Sequence, residues 1–320
     1  MSRNVPPEMT PLRVTRAEEI AQDIFLFELR ASDNTDLPAF TCGSHVSLQT
    51  PSGLVRKYSL SNDPSELDRY VIAVRKEASS RGGSESMVRD LKVGDEVHVS
   101  APRNDFALVK SPAGHAFIAG GIGITPIMSM IRHLKHDAAG RFKLYYLTRS
   151  REATAFLDEL SGPEYRGKVV IHHDGGDPQE AFDLWPVFEQ PRGHIYCCGP
   201  RGLMEAVRNM AGHWSTSSVH FEAFSEAETR KPNDKPFKVR MARSGATIEV
   251  PVGTTILEAI RAAGYDAPSS CESGSCGTCR TRLVAGEVDH RDLVLAEHEK
   301  RSNIMICVSR ALTDVIEIDR

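Results

Sequence analysis

The chain has little that would take it to a membrane, to nucleic acid or out of the cell. No apolar run approaches the roughly 18 residues that a membrane helix needs. Lysine and arginine number 39 against 43 aspartates and glutamates, a formal net charge of −4. That balance argues against a nucleic-acid partner. The stretch from Met1 to Pro11 is polar and proline-rich and contains no apolar signal core, so a cytoplasmic protein is expected. There are only seven cysteines, an odd number, which fits a reducing compartment. What remains is ordinary for globular protein, with 26% charged and 40% apolar residues. A length of 320 residues allows two or three domains.

Four of the cysteines carry the strongest signal. Cys271, Cys276 and Cys279 are separated by four residues and then two, and Cys307 follows 28 positions later. This is the spacing of a plant-type [2Fe–2S] cluster. Four thiolates must reach two irons, so the backbone has to wrap tightly, and Gly274 and Gly277 permit positive φ and close approach. Ser269, Ser270, Ser273, Ser275 and Thr278 leave backbone amides free to point at sulfur. Zinc and disulfides are the alternatives. Zinc sites more often use paired Cys-x-x-Cys hooks or histidines, and disulfides need an oxidising compartment. Cys42, Cys197 and Cys198 read as small buried hydrophobes.

The first hundred residues read as short strands at 12–15, 24–29, 46–49, 70–74 and 97–99, separated by Gly, Pro, Asn and Asp clusters. That punctuation predicts an antiparallel barrel. Strand alternation places Arg56, Tyr58 and Leu60 on one face and Ser59 on the other. Arginine can clamp a phosphate, tyrosine offers a flat face and a hydroxyl, and serine can bond a ring edge. Arg81-Gly82-Gly83-Ser84 then leads into a predicted helix at 85–91, where backbone N–H groups and the helix dipole favour an anion. Ser84 can cap that helix or bind the anion. Either signal alone has a bland reading, a half-buried strand or a surface loop. Together they describe a site with a phosphate end and a ring end, which a flavin mononucleotide fits.

From about Ala116 strands and helices alternate, which predicts a parallel sheet with ligands at the carboxyl ends of its strands. Strands are expected at 116–119, 143–147, 169–171, 194–197 and 219–221, and helices at 127–134, 153–160 and 203–211. Two turns qualify as nucleotide sites. One runs from Gly120 through Gly121 and Gly123 to Thr125 and Pro126, with proline where a dinucleotide fingerprint has its third glycine. The other is Cys198-Gly199-Pro200. His172 and His173 are adjacent on a strand and point apart, so a metal there is disfavoured. Cys42-Gly-Ser-His45 is half of a Rieske ligand set, and the chain has no Cys-x-His to complete it.

Residues 225–236 are polar, with two prolines, and read as a linker. A hairpin at 237–241 and 247–250 follows. Next comes a helix with Thr255 and Glu258 in capping-box spacing, an apolar face of Ile256, Ala259, Ile260 and Ala263, and a stop at Gly264. Hairpin, helix and cysteine loop in this order predict a small α+β domain of β-grasp type.

In these motifs, and in their order along the whole chain, the sequence resembles the phthalate dioxygenase reductase family, the one-chain reductases of two-component Rieske oxygenases. The resemblance implies an FMN-binding β-barrel at 1–108, an NAD-binding α/β domain at 109–225, a linker at 226–235 and a ferredoxin domain at 236–320. It implies FMN held by Arg56, Tyr58, Ser59, Leu60, Gly82, Gly83 and Ser84, with Val74 and Lys76 from the neighbouring strand end and Phe224 near the flavin. NADH is implied as donor at the two glycine turns. Thr148 and Arg149 follow the second sheet strand near the adenine ribose, where an arginine could also take the 2′-phosphate of NADPH. The implied activity takes two electrons from NADH and passes them singly through the cluster to a partner Rieske-type oxygenase acting on an aromatic or related substrate. No side chain acts as general acid or base, and a monomer is expected. Two other readings stand beside it: a stand-alone NADH:flavin or dye reductase with a structural cluster, and a non-enzymatic redox carrier or sensor.

Overall fold

The computed structural model describes residues 9–77, 82–136, 140–224 and 231–320. Arg81 and residues 225–230 of the expected linker lie outside the described residues.

The five short apolar runs of the first hundred residues, with the stretch around Arg56 and Tyr58, become strands β1 (Met9–Ala21), β2 (Ile24–Arg30), β3 (His45–Gln49), β4 (Val55–Ser59), β5 (Tyr70–Arg75) and β6 (Glu96–Ser100). They form one sheet in the order β4-β3-β6-β1-β2-β5, antiparallel at each pairing. A bridge from Leu60 to Ile72 and a 2.8 Å bond from Ser61 N–H to the Val71 carbonyl join the end of β4 to β5 and close the barrel. Val14, Phe27, Leu29, Val46, Leu48, Leu60 and Ile72 fill its interior. Leu60 therefore lies past the end of β4 and belongs to the core. Helix α1 (Gly83–Asp90) begins two residues earlier than expected. Gly82, at φ 86°, occupies its cap position, and no side chain caps it. A serine cap needs extended backbone, whereas a left-handed cap selects glycine. Ser84 sits inside the first turn, and its Oγ accepts the Glu77 N–H at 3.3 Å.

The second sheet is built from β7 (His115–Gly120), α2 (Ile124–Lys135), β8 (Phe142–Thr148), α3 (Leu157–Leu160), β9 (Val169–His173), α4 (Trp185–Phe188), β10 (His194–Cys198), α5 (Arg201–Met210) and β11 (Val219–Glu222). Its order is β11-β10-β7-β8-β9, and β10, β7, β8 and β9 run parallel. The helix expected at 153–160 is reduced to α3. Thr154 Oγ1 donates to the Ser150 carbonyl at 2.8 Å, Ala153 N–H donates to Ser150 Oγ at 3.4 Å, and Phe156 takes φ 58°. Side-chain bonds of this kind compete with helical ones and hold the segment as a turn.

Barrel and parallel sheet belong to one compact unit. Ile24, Cys42, Ala73 and Phe106 of the barrel segment pack into the apolar cluster under α2. The Tyr196 hydroxyl accepts from Val109 N–H at 2.8 Å and donates to the Ala107 carbonyl at 3.1 Å. Helix α2 is bolted to the loop that leaves β4. Ser129 Oγ donates to the Asn62 carbonyl at 2.8 Å, and Arg132 Nη1 donates to the Ser61 carbonyl at 2.6 Å. The same guanidinium grips Glu159 with its other nitrogens and lies over the Phe156 ring.

Residues Phe221–Arg320, with Ser215–Ser217, make a second compact unit. Its elements are β12 (Phe237–Met241), β13 (Thr247–Val250), α6 (Ile256–Ala262), β14 (Arg280–Ala285), β15 (Val288–Asp289), β16 (Asn303–Met305), β17 (Arg310–Ala311) and β18 (Val315–Ile318). The main sheet runs β13-β12-β18-β14-β16, with β12 and β18 parallel, and α6 lies against it as in a β-grasp. The hairpin has the expected bounds. The capping box forms: Thr255 Oγ1 accepts from Glu258 N–H at 3.1 Å, and the Glu258 carboxylate accepts from Thr255 N–H at 2.8 Å, an arrangement of about 1 kcal/mol. The buried face of α6 is Ile256, Leu257, Ala259 and Ile260. Ala263 is exposed as the C-terminal cap, one residue before Gly264 at φ 84°.

Residues 231–235, inside the expected linker, are held by this second unit. The carboxylate of Asp234 receives both terminal nitrogens of Arg291 at 2.9 and 2.5 Å, and Arg291 also bonds Asp289. Arg310 donates to the Lys235 carbonyl at 2.9 Å and covers the Phe237 ring at 4.9 Å. The hydrogen-bonded guanidinium of Arg291 holds Asp234 below the usual carboxylate range.

Candidate functional site

At the barrel, the side chain of Arg56 lies along Gly83. A Cβ at that glycine would come within 3.1 Å of Arg56 Nε. Strand β4 thus brings its arginine to the N-terminal end of α1, where a Cβ on Gly82 would meet nothing within 4 Å. First-turn amides and a guanidinium together make an anion cradle. Tyr58 is half-buried beside it, and burial pushes its hydroxyl up to about 12, with Arg56 opposing. Ser59 is buried at the strand end. Val74 is part of the barrel core, so only its backbone can face a ligand. Lys76 is exposed, and its N–H donates to the Asp23 carbonyl at 2.8 Å. These surroundings fit a phosphate-bearing flavin.

In the parallel sheet, the two glycine turns lie face to face. A Cβ on Gly123 would come within 2.1 Å of the Cys198 carbonyl oxygen, and one on Gly120 would meet Pro200 Cδ at 2.6 Å. A Cβ on Gly199 would lie 2.9 Å from the Gly120 backbone. Close approach of β7 and β10, and not a pyrophosphate alone, therefore demands these glycines. Gly121 differs: it takes φ 52° and has open space where a Cβ would sit. The 3₁₀ turn Gly121–Gly123 runs straight into α2, so Thr125 and Pro126 already lie within its first turn, and both are buried. Thr125 Oγ1 bonds the Ile122 carbonyl at 3.1 Å. Thr148 is buried, with its hydroxyl 2.8 Å from both Thr154 Oγ1 and His173 Nδ1. Arg149 is exposed beyond the end of β8. His172 Nε2 contacts the Glu180 carbonyl at 2.6 Å, so the two histidines bond different partners. Phe224 is exposed.

In the second unit, Gly274 and Gly277 adopt φ 78° and 88°. A Cβ on Gly274 would strike Val308 Cγ2 at 2.7 Å, next to Cys307. The Cys271 N–H points at Cys276 Sγ and the Ser273 N–H at Cys271 Sγ, each at 3.4 Å. The sulfurs interact in two pairs. A hydrogen bond from Cys276 lowers Cys271 against the cost of burial, and one from Cys307 lowers Cys279. Cys276 and Cys307 shift up in turn. Thiolate sulfur with amides aimed at it, on a glycine-wrapped loop, fits an iron–sulfur cluster. Sequence reasoning missed the clasp behind this loop. Leu293 N–H donates to the Gly274 carbonyl at 2.9 Å, and buried Asp292 accepts from Val294 and Leu295 N–H. The remaining cysteines, Cys42, Cys197 and Cys198, are buried.

Comparison with known proteins gives the same three parts. Residues 11–108 match the oxidoreductase FAD-binding domain, 117–209 the oxidoreductase NAD-binding domain, and 239–312 the 2Fe-2S iron-sulfur cluster binding domain. The chain is 52% identical over 320 residues to the phthalate 4,5-dioxygenase oxygenase reductase subunit of Pseudomonas putida, covering 99% of each. It is 49% identical to the phthalate dioxygenase reductase of Burkholderia cepacia, covering 96% of each. The chain belongs to the phthalate dioxygenase reductase family. The solved structure of a phthalate dioxygenase reductase, described as modular for electron transfer from pyridine nucleotides to [2Fe–2S], superposes with a TM-score of 0.71 at 47% identity over 98% of both chains.

As a member, this reductase is an oxidoreductase that works with FMN, NADH and a [2Fe–2S] cluster and serves an oxygenase. When bound, the cofactors supply the hydride and one-electron chemistry. The chain supplies position. Its first unit fixes α2 to the loop after β4 through Ser129 and Arg132, so the glycine turn at the start of α2 keeps a set place relative to β4. Among the described residues no helix is long and apolar enough to cross a membrane.

Proposed function

We propose that this reductase delivers electrons to a Rieske-type oxygenase that acts on an aromatic dicarboxylate of the phthalate class. The observation that carries the reading is the 52% identity, extended over essentially the full length, to a phthalate 4,5-dioxygenase reductase subunit. In this reading Arg56 and the amides after Gly82 hold the FMN phosphate, Tyr58 and Ser59 face its ring system, and Gly121 and the Cys198-Gly199-Pro200 turn receive NADH. Cys271, Cys276, Cys279 and Cys307 ligate the cluster. The functional parts are 1–108, 109–225 and 236–320, and the protein works as a cytoplasmic monomer. The cysteines support a reducing compartment, since none of the seven is paired in a disulfide.

The test is a reconstituted turnover. Purified reductase should carry one FMN and two irons per chain, and it should support NADH-dependent dihydroxylation by a purified phthalate-type oxygenase. FAD released on denaturation, or zinc in place of iron, would overturn the cofactor assignment. Turnover with a vanillate-type oxygenase and none with the phthalate type would overturn the partner. A stand-alone flavin reductase would reduce free flavin and support neither oxygenase.

Arg56→Ala tests the phosphate clamp. It removes a charge-assisted pair of roughly 1.5–3 kcal/mol, so FMN affinity should fall about tenfold to a hundredfold, with activity restored by added FMN. Retention of FMN through dialysis equal to the parent would make Arg56 a surface residue only.

A further inference from the structure

The second unit carries a cleft of about 660 Å³ beside its C-terminal strand β18. Four arginines line it, Arg243, Arg280, Arg282 and Arg320, against two carboxylates, Asp266 and Asp319. Two of the arginines are neutralised within the unit. Arg243 pairs with Asp319 at 2.7 Å and Arg280 with Glu299 at 2.9 Å. Arg282 is exposed and makes no ion pair among the described residues. Arg320 is half-buried, and its Nε donates to Thr281 Oγ1 at 3.2 Å. With Arg243 and Arg280 paired, Arg282 leaves the cleft a cation that an incoming anion can meet.

The cleft also lies one residue from a cysteine of the cluster loop. Thr281 is buried, and its hydroxyl donates to the carbonyl of Cys279 at 3.2 Å while accepting from Arg320. A string of two hydrogen bonds therefore leads from the Cys279 backbone to the guanidinium in the cleft. An acceptor seated there would lie two hydrogen bonds from the Cys279 carbonyl. A carboxylate matches the fork of a guanidinium, and several on one protein surface would match the spread of Arg282 and Arg320.

We propose that this arginine cleft is the docking surface for the acceptor oxygenase, and that it takes an acidic surface element of that protein. The proposal rests on the reading of the partner as an oxygenase. Electrons then leave the reductase on the Cys279 side of the cluster, one for each acceptor centre reduced.

Stopped-flow reduction of a phthalate-type oxygenase by NADH-reduced holoenzyme, at low and high salt, tests it. Arg282→Gln should lower the second-order rate at low ionic strength roughly threefold to tenfold, with the gap closing as salt rises. Arg282→Lys should keep most of the rate. Lys238→Gln, an equal charge change outside the cleft lining, should leave it unaltered, and NADH bleaching of the cluster absorbance should be the same in all four proteins. Equal loss in Arg282→Gln and Lys238→Gln, or no loss in either, overturns the proposal. If the parent reduces no such oxygenase, the partner reading fails and the cleft is still tested with cytochrome c. That acceptor is basic, so Arg282→Gln should then raise its reduction rate, and an unchanged rate overturns the cleft.

Discussion

Cys276→Ala should separate the two ends of this reductase. The variant loses one of four thiolates from a loop whose glycines and amides are arranged around sulfur, so a stable cluster should not assemble. The first unit has its own apolar cores and bolts, and nothing in them involves Cys276. NADH-driven reduction of ferricyanide, which needs only the flavin, should therefore stay near the parental rate. Reduction of the oxygenase should collapse by orders of magnitude. Parallel assays on one FMN-loaded preparation decide the matter. Equal loss of both activities would count against a path that runs from the flavin to the cluster. Retention of both would mean that electrons leave the flavin directly and that the cluster is structural.

Gly123→Ala should be a strongly damaging small change in the first unit. The new methyl would sit 2.1 Å from the Cys198 carbonyl oxygen and 2.4 Å from its carbon. Both are backbone atoms, so no rotamer change relieves the clash. Either the start of α2 or the end of β10 must move, and overpacking of this kind costs roughly 1–3 kcal/mol or more. The expected result is a lower unfolding temperature, by about 2–4 °C per kcal/mol for a unit of this size, with a raised KM for NADH. Gly121→Ala is the control. Its methyl meets nothing, and its cost is limited to about 1–2 kcal/mol for a left-handed backbone. A Gly123→Ala protein with parental unfolding temperature and parental KM would show that the two turns do not need this contact.

These cases mark what could be read from residues alone. The cysteine loop was legible because spacing, glycine and small polar neighbours all act within a few residues. So was the capping box at Thr255 and Glu258, and so were the hairpin bounds. Each depends on short-range geometry that the residues themselves impose. The start of α1 was misplaced because a left-handed glycine cap leaves no side-chain signature. The helix before Leu160 was overextended because Thr148, Ser150 and Thr154 trade hydrogen bonds in a way that periodicity does not register. The buried face of α6 takes Leu257, which joins Ile304 and Ile306 in the core cluster, while Ala263 lies beyond the last helical residue as its cap. Gly120 and Gly199 were both noticed, yet their mutual contact was invisible until β7 and β10 were side by side. The grip of Arg132 on Ser61 and Glu159 left no trace in sequence for the same reason.

The clasp of Asp234 by Arg291 and Arg310 bears on how such chains can be taken apart and recombined. A gene cut at Val239, where the match to the cluster-binding family begins, would take Asp234 from Arg291, and the Phe237 ring and the Lys235 carbonyl from Arg310. Recombination upstream of Lys231 transfers the clasp together with the cluster loop. The unit of inheritance for this electron-delivering module is then longer than its recognisable family signature. Its left edge is set by two arginines more than fifty residues further along the chain.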